Sequence, residues 1–166
     1  MLYMKLDAIS RQELLAQLEA MPAFLAETFA GLSAEQITLP GPEGLFSPIE
    51  QVWHLADLER EGFGARIDRL RWELDPHLPD FDGAAVAAAR NYRSLSIGAG
   101  LKAFKTARID NVQKLREIQD DAWLRSGAQE GVGKVSLCDI PSMIWQHDAA
   151  HKQEIARWQK ATGPVV

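Results

Sequence analysis

The run Asp139–Gln159, DIPSMIWQHDAAHKQEIARWQ, decides how the rest of the chain is read. Ile140, Met143, Ile144, His147, His151, Ile155 and Trp158 recur at three- and four-residue steps, the spacing of one buried helix face. Two of these positions are histidines. Residues i and i+4 of a helix stand about 5–6 Å apart at Cβ, so both imidazoles can turn to one ion. A buried imidazole needs partners for its ring nitrogens. A divalent cation supplies one to both rings, and ordinary hydrogen bonds are the alternative. Asp139 reads as the N-cap, with Pro141 tolerated in the first turn. Gly163-Pro164 ends the helix near Lys160.

Upstream, GVGKVSL at 131–137 reads as a short strand or turn, and its glycines miss the phosphate-loop spacing. A helix over 97–118 carries Leu101, Phe104, Arg108, Val112 and Leu115 on its inner stripe. An inward Arg needs an anionic partner. Arg108 is therefore either in a structural ion pair or at the rim of a pocket that takes an anion. The turn-rich stretch 75–97, with a short helix at Ala84–Tyr92, is too long for a tight connection and crosses the bundle. His77 lies in it between Pro76 and Pro79 and reads as an exposed non-ligand.

A helix over 47–74 has the clearest start: Ser47 caps, Pro48 takes the first position, Glu50 closes a capping box. Ile49, Val52, Trp53, Ala56, Phe63, Ile67, Leu70 and Leu74 form one apolar face, and His54, Leu58, Ala65 and Trp72 a second. A helix apolar on two sides is buried on two sides, which points to a second subunit or the crossover. A first helix is expected over 10–31, capped by Ser10 with Glu13 and kinked or broken at Pro22. Residues 1–9 read as a lead-in.

At 166 residues the chain is expected to be one domain, 1–166, with room for a core. It has no membrane-length apolar run and no signal-peptide pattern at its start. A lone Cys138 fits a reducing compartment, so a cytoplasmic protein is expected. The net charge of −5, with signs interspersed, argues against nucleic acid as partner.

His54, His147 and His151 are the candidate metal ligands. Three nitrogens and one open position make a catalytic rather than a structural site. The donors suit zinc or nickel first, with iron or manganese as alternatives. HDAAH at 147–151 departs from the HExxH proteases: Asp148 stands where their Glu would, and no third ligand follows. A di-iron carboxylate site is disfavoured, since neither histidine has a Glu three residues before it. Asp57, one turn after His54, could hold an imidazole or act as a base near bound water, or be a solvated helix residue. Asp148 lies about 100° around the helix from His147 and suits a salt bridge.

A WHLAD segment at 53–57, followed far downstream by HDAAH on the last helix, resembles the DinB-like (DinB/YfiT) superfamily from about Ser47 to Trp158. The resemblance implies an all-α four-helix bundle with a long crossover, a divalent metal on His54, His147 and His151, and often a homodimer. Relatives of this kind include metal-dependent bacillithiol and mycothiol S-transferases and a mycothiol-dependent maleylpyruvate isomerase. Some carry a His near position 129, where this chain has Gln129, which puts their chemistry in doubt here. The leading expectation is a metal-dependent thiol S-transferase acting on a small molecule. The alternatives are a metal-dependent hydrolase, with Asp57 as base, and a non-enzymatic, stress-related metal-binding dimer.

Overall fold

Capping residues and prolines set where the helices begin and end. The computed structural model describes residues 6–163, so most of the expected lead-in and Pro164 lie outside the described residues. Helix α1 spans Ala8–Glu19 and is capped by Asp7, whose Oδ1 accepts from the Ser10 N–H at 2.7 Å. That corrects the expected Ser10 cap: Asp7 reaches the same turn from three residues earlier and draws Ser10 into the helix. Pro22 breaks the run as expected, and α2 restarts at Met21–Thr28. A short helix not anticipated from the sequence, α3 at Ala34–Thr38, is closed by a Ser33/Gln36 capping box.

Helix α4, Pro48–Asp57, starts as the sequence dictates, with the Glu50 carboxylate accepting from the Ser47 N–H and hydroxyl. It continues through a π-helical turn, Leu58–Gly64, into α5, Ala65–Trp72. The widened turn is locked from outside: Asn111 Nδ2 donates to the Glu59 carbonyl at 2.8 Å. A Cβ on Gly64 would stand 2.9 Å from that carbonyl and 3.0 Å from Asn111 Oδ1, so only glycine lets the turn pass this close. The second apolar face of this run is buried only in its first half. His54 and Leu58 are covered, whereas Ala65 and Trp72 are exposed, and Leu74 of the first face is 91% exposed because the helix ends at Trp72.

The crossover carries β1 (His77–Leu78) and α6 (Gly83–Arg90). Then follow α7 (Ile97–Arg116), the hairpin β2 (Ser126–Gln129) and β3 (Gly133–Ser136), and α8 (Ile140–Thr162). β1 pairs parallel to β2, with Leu78 opposite Gln129, and β2 antiparallel to β3. Asp139 holds the N-cap position of α8 as expected, but its side chain makes no capping bond, since its Oδ2 is taken by the N–H and hydroxyl of Ser136. Four helical runs make the bundle: α1–α2, α4–α5, α7 and α8. Among the described residues no helix is long and apolar enough to cross a membrane.

The core is divided. One apolar cluster gathers Leu15, Phe63, Ile67, Val112, Leu115 and Ile144. Another gathers Leu25, Val52, Leu55, Phe104 and Ile155. Along α7 and α8 the positions between them are polar: Arg108 on one, and His147, Asp148 and His151 on the other. Arg108, 1% exposed, donates from Nη1 to Asp148 Oδ2 at 2.7 Å and the Leu18 carbonyl at 2.9 Å. Its Nη2 donates to Asp148 Oδ1 at 2.9 Å and Glu59 Oε2 at 3.0 Å. Its Nε lies 2.9 Å from Glu59 Oε1 but is too bent for a hydrogen bond, so that contact is an ion pair only. Burial pushes the Asp148 carboxyl up, against the pull of Arg108.

Candidate metal centre

His54 comes from α4, and His147 and His151 from successive turns of α8. Ring centroids lie 5.5 Å apart for His54–His147, 4.9 Å for His54–His151 and 4.3 Å for His147–His151. One nitrogen from each falls within 4.8 Å of the others. The three sequence candidates thus meet in the polar layer, while His77 is exposed on β1.

The protonation of this cluster follows from its neighbours. Gln51, one turn before His54, places its Oε1 2.5 Å from His151 Nδ1, while its Nε2 donates to Glu154 Oε2 at 2.8 Å. A carboxylate accepting from the amide fixes its orientation, so Gln51 Oε1 accepts from His151 Nδ1–H. His151 Nε2 lies 3.1 Å from His147 Nε2. His151, whose Nδ1 lies 3.4 Å from Glu154 Oε2, above all holds the Glu154 carboxyl down at about 2. Burial, then the neighbouring His151, pushes His54 down to about 4 and His147 to about 3. Both are neutral at pH 7, the state in which imidazole binds a metal.

His54 Nδ1 is buried with no hydrogen-bond partner among the described residues. Its ring packs against the first residue of α6: a Cβ on Gly83 would overlap His54 Cε1 and stand 2.8 Å from Nδ1. Phe46 and Phe81 flank it at 5.4 and 6.4 Å, and Phe63 meets His147 edge-on at 5.9 Å. An unpaired buried ring nitrogen, two facing Nε2 atoms and an all-imidazole donor set fit a divalent cation of the zinc, nickel or iron kind.

A cavity of about 410 Å³ opens beside His54 and His147. Its wall includes Leu58, Phe63, Arg66, Phe81, Gln129 and Met143, with exposed Asp80 also lining it.

Two sequence candidates fall elsewhere. Asp57, 1% exposed, is neither solvated nor turned to an imidazole. It accepts from Tyr92 Oη at 2.7 Å, pairs with Arg90 Nη1 at 2.6 Å and bonds Arg60. Burial alone would raise its carboxyl, but the hydrogen bonds from Tyr92, Arg60 and Arg90 outweigh that and hold it low. With both oxygens engaged it is not placed to act as a base. Arg108 belongs to the Glu59–Asp148 ion pair and not to an anion pocket. Sequence reading missed Gln51 and Glu154, although each lies three residues from a ligand histidine on the same helix. It also missed Gly83, whose contact is purely tertiary.

The chain matches the DinB superfamily over residues 17–155. A protein of Geobacillus thermodenitrificans (strain NG80-2), named "Putative metal-dependent hydrolase", is 24% identical over 92% of this chain and 85% of its own length. Among solved structures, YfiT from Bacillus subtilis superposes with a TM-score of 0.89 at 17% identity, over 98% of this chain and 93% of that one. It is described as "a probable metal-dependent hydrolase with an unusual four-helix bundle topology". A mycothiol-dependent maleylpyruvate isomerase superposes with a TM-score of 0.66 at 12% identity, over 89% of this chain and 60% of that one. The two structures share the four-helix fold, and with the family match over most of its length the chain belongs to the DinB superfamily.

Proposed function

We propose that this chain is a divalent-metal-dependent enzyme that delivers a small external nucleophile to a substrate held in the cavity beside the histidines. His54, His147 and His151 would hold the cation. One observation carries the reading: three imidazoles meet beside a cavity whose described wall holds no Ser, Thr, Cys, Lys or Tyr that could attack. Cys138 is buried in the apolar core. A divalent cation lowers the pKa of a coordinated thiol or water and so supplies the nucleophile in ionised form at neutral pH.

The nucleophile favoured here is a low-molecular-weight thiol, giving an S-transferase. Asp57, Asp148 and Glu154 are all engaged by cations or hydrogen-bond donors. A thiol ionised by the cation needs no further base. Its sulfur would bond to the electrophilic carbon of the substrate, the leaving group would depart with its electron pair, and the thiol proton would pass to solvent. Hydrolysis is the second reading, supported by the names of the relatives and by Asp80 at the cavity wall.

Elemental analysis of freshly purified protein, followed by screening thiol–electrophile pairs and esters with the metal found, tests this. His→Ala changes at 54, 147 or 151 should each remove most of the metal, and His77→Ala should remove none. Full metal content in all three single variants would end the proposal.

A further inference from the structure

Metal binding leaves the Gln129 side chain in the cavity unexplained. Gln129, at the end of β2, is 6% exposed and lines the cavity together with His54 and His147. Its Oε1 is buried with no hydrogen-bond partner among the described residues. The hairpin does not need that side chain for pairing. The N–H groups on either side, of Ala128 and Glu130, donate to the carbonyls of Pro76 and Leu78, and the Gln129 carbonyl accepts from Val132. A buried carbonyl without a donor bears the full cost of its desolvation, and native structures rarely leave one so. Around it the wall is mixed: Leu58, Phe63, Phe81 and Met143 are apolar, and Arg66, Asp80 and Gln146 are polar.

We propose that Gln129 selects the substrate: the cavity takes a small molecule with an N–H or O–H donor beside the group that reaches the histidines. The donor satisfies Gln129 Oε1, and Leu58, Phe63, Phe81 and Met143 meet the apolar part of the molecule. This inference rests on the metal-dependent reading above and adds a substrate class to it. A molecule of similar shape without the donor fills the same space but leaves the carbonyl unpaired, so it binds more weakly.

Two hydroxamates test it by binding, independently of turnover. Benzohydroxamate and N-methylbenzohydroxamate both chelate zinc through two oxygens, and only the first carries an N–H. Calorimetry on the zinc-loaded full chain should give a preference for benzohydroxamate of roughly tenfold, the scale of one unsatisfied buried acceptor. Gln129→Met should bring the two affinities to within about twofold of each other at unchanged zinc content. Gln129→Glu keeps an acceptor and should keep the preference, which covers the case in which the Met variant folds poorly. The same ratio in wild type and Gln129→Met overturns the inference and leaves the metal reading intact; the carbonyl is then served by water. A wild-type preference for the N-methyl compound also overturns it, because Gln129 would then present its NH₂. Failure of wild type to take up zinc or any other divalent cation overturns both.

Discussion

Replacing Arg108 with methionine is the sharpest test of the divided core. The guanidinium donates four hydrogen bonds within 3.0 Å: two to Asp148, one to Glu59 and one to the Leu18 carbonyl. Methionine fills much of the same volume, so the loss is electrostatic rather than a cavity. Glu59 keeps the Asn111 amide, 3.0 Å from its Oε1. Asp148, 4% exposed, keeps no hydrogen bond from any other side chain among the described residues. The cost is therefore that of a buried carboxylate stripped of its partner, about 3–5 kcal/mol. For a domain of this size that lowers Tm by roughly 6–20 °C. Urea denaturation followed by far-UV circular dichroism, with Arg108→Met beside wild type, measures it. The triple variant Glu59→Gln/Arg108→Met/Asp148→Asn removes the uncompensated charge and should recover more than half of the loss. If Arg108→Met alone costs less than about 1 kcal/mol, the layer is hydrated and Arg108 is no part of what holds the two clusters together.

Other consequences can be measured as directly. Gln51→Leu removes the acceptor that holds His151 Nδ1–H and should weaken metal affinity by about 10–100-fold, read by chelator competition, with the fold retained. Gly83→Ala should push the His54 ring aside and lower metal affinity while leaving the metal-free protein as stable as before; unchanged affinity would show that α6 yields. Asp57→Asn should cost about 1–3 kcal/mol near neutral pH, since a hydrogen-bonded charge is lost between half-exposed arginines. The sign follows from a carboxyl held below its unfolded value of about 3.9: its contribution is present above that pH and lost as pH falls through the folded value, so the gap from wild type should close in acid. A homodimer through the end of α5, where Trp72 and Leu74 stand exposed, would appear in sedimentation velocity and vanish in Trp72→Glu. A wild-type monomer at high micromolar concentration would contradict it.

What the sequence disclosed was local. His147 and His151 are legible because helical periodicity alone puts i and i+4 on one face, and Ser47-Pro48 and Pro22 act within a turn of themselves. His54 is legible as a third histidine on another long amphipathic run. Asp57 was misread because its partners come from the crossover, with Tyr92 35 positions away, and no spacing within α4 announces them. The Asp7 cap was hidden by Ser10, an equally good capping residue three positions on. The π-helical turn at Leu58–Gly64 leaves no periodic signature of its own, since the apolar pattern runs through it and its lock, Asn111, sits on α7.

The parallel pairing of β1 with β2 governs how this cavity can change by mutation. Burial alternates along β2, with Gly127 and Gln129 turned in and Ala128 out. With Ser126 held opposite Ser136, deleting one residue from β2 would bring Glu130 to the position opposite Leu78, and inserting one would bring Ala128 there. Each replaces the polar contact in a single step, because strand side chains alternate with a period of two. A two-residue change restores the inward face. Lengthening the turn 130–132 alters neither register. Natural or selected variation should therefore accumulate in that turn without altering ligand preference, and shift it abruptly only when the strand gains or loses an odd number of residues.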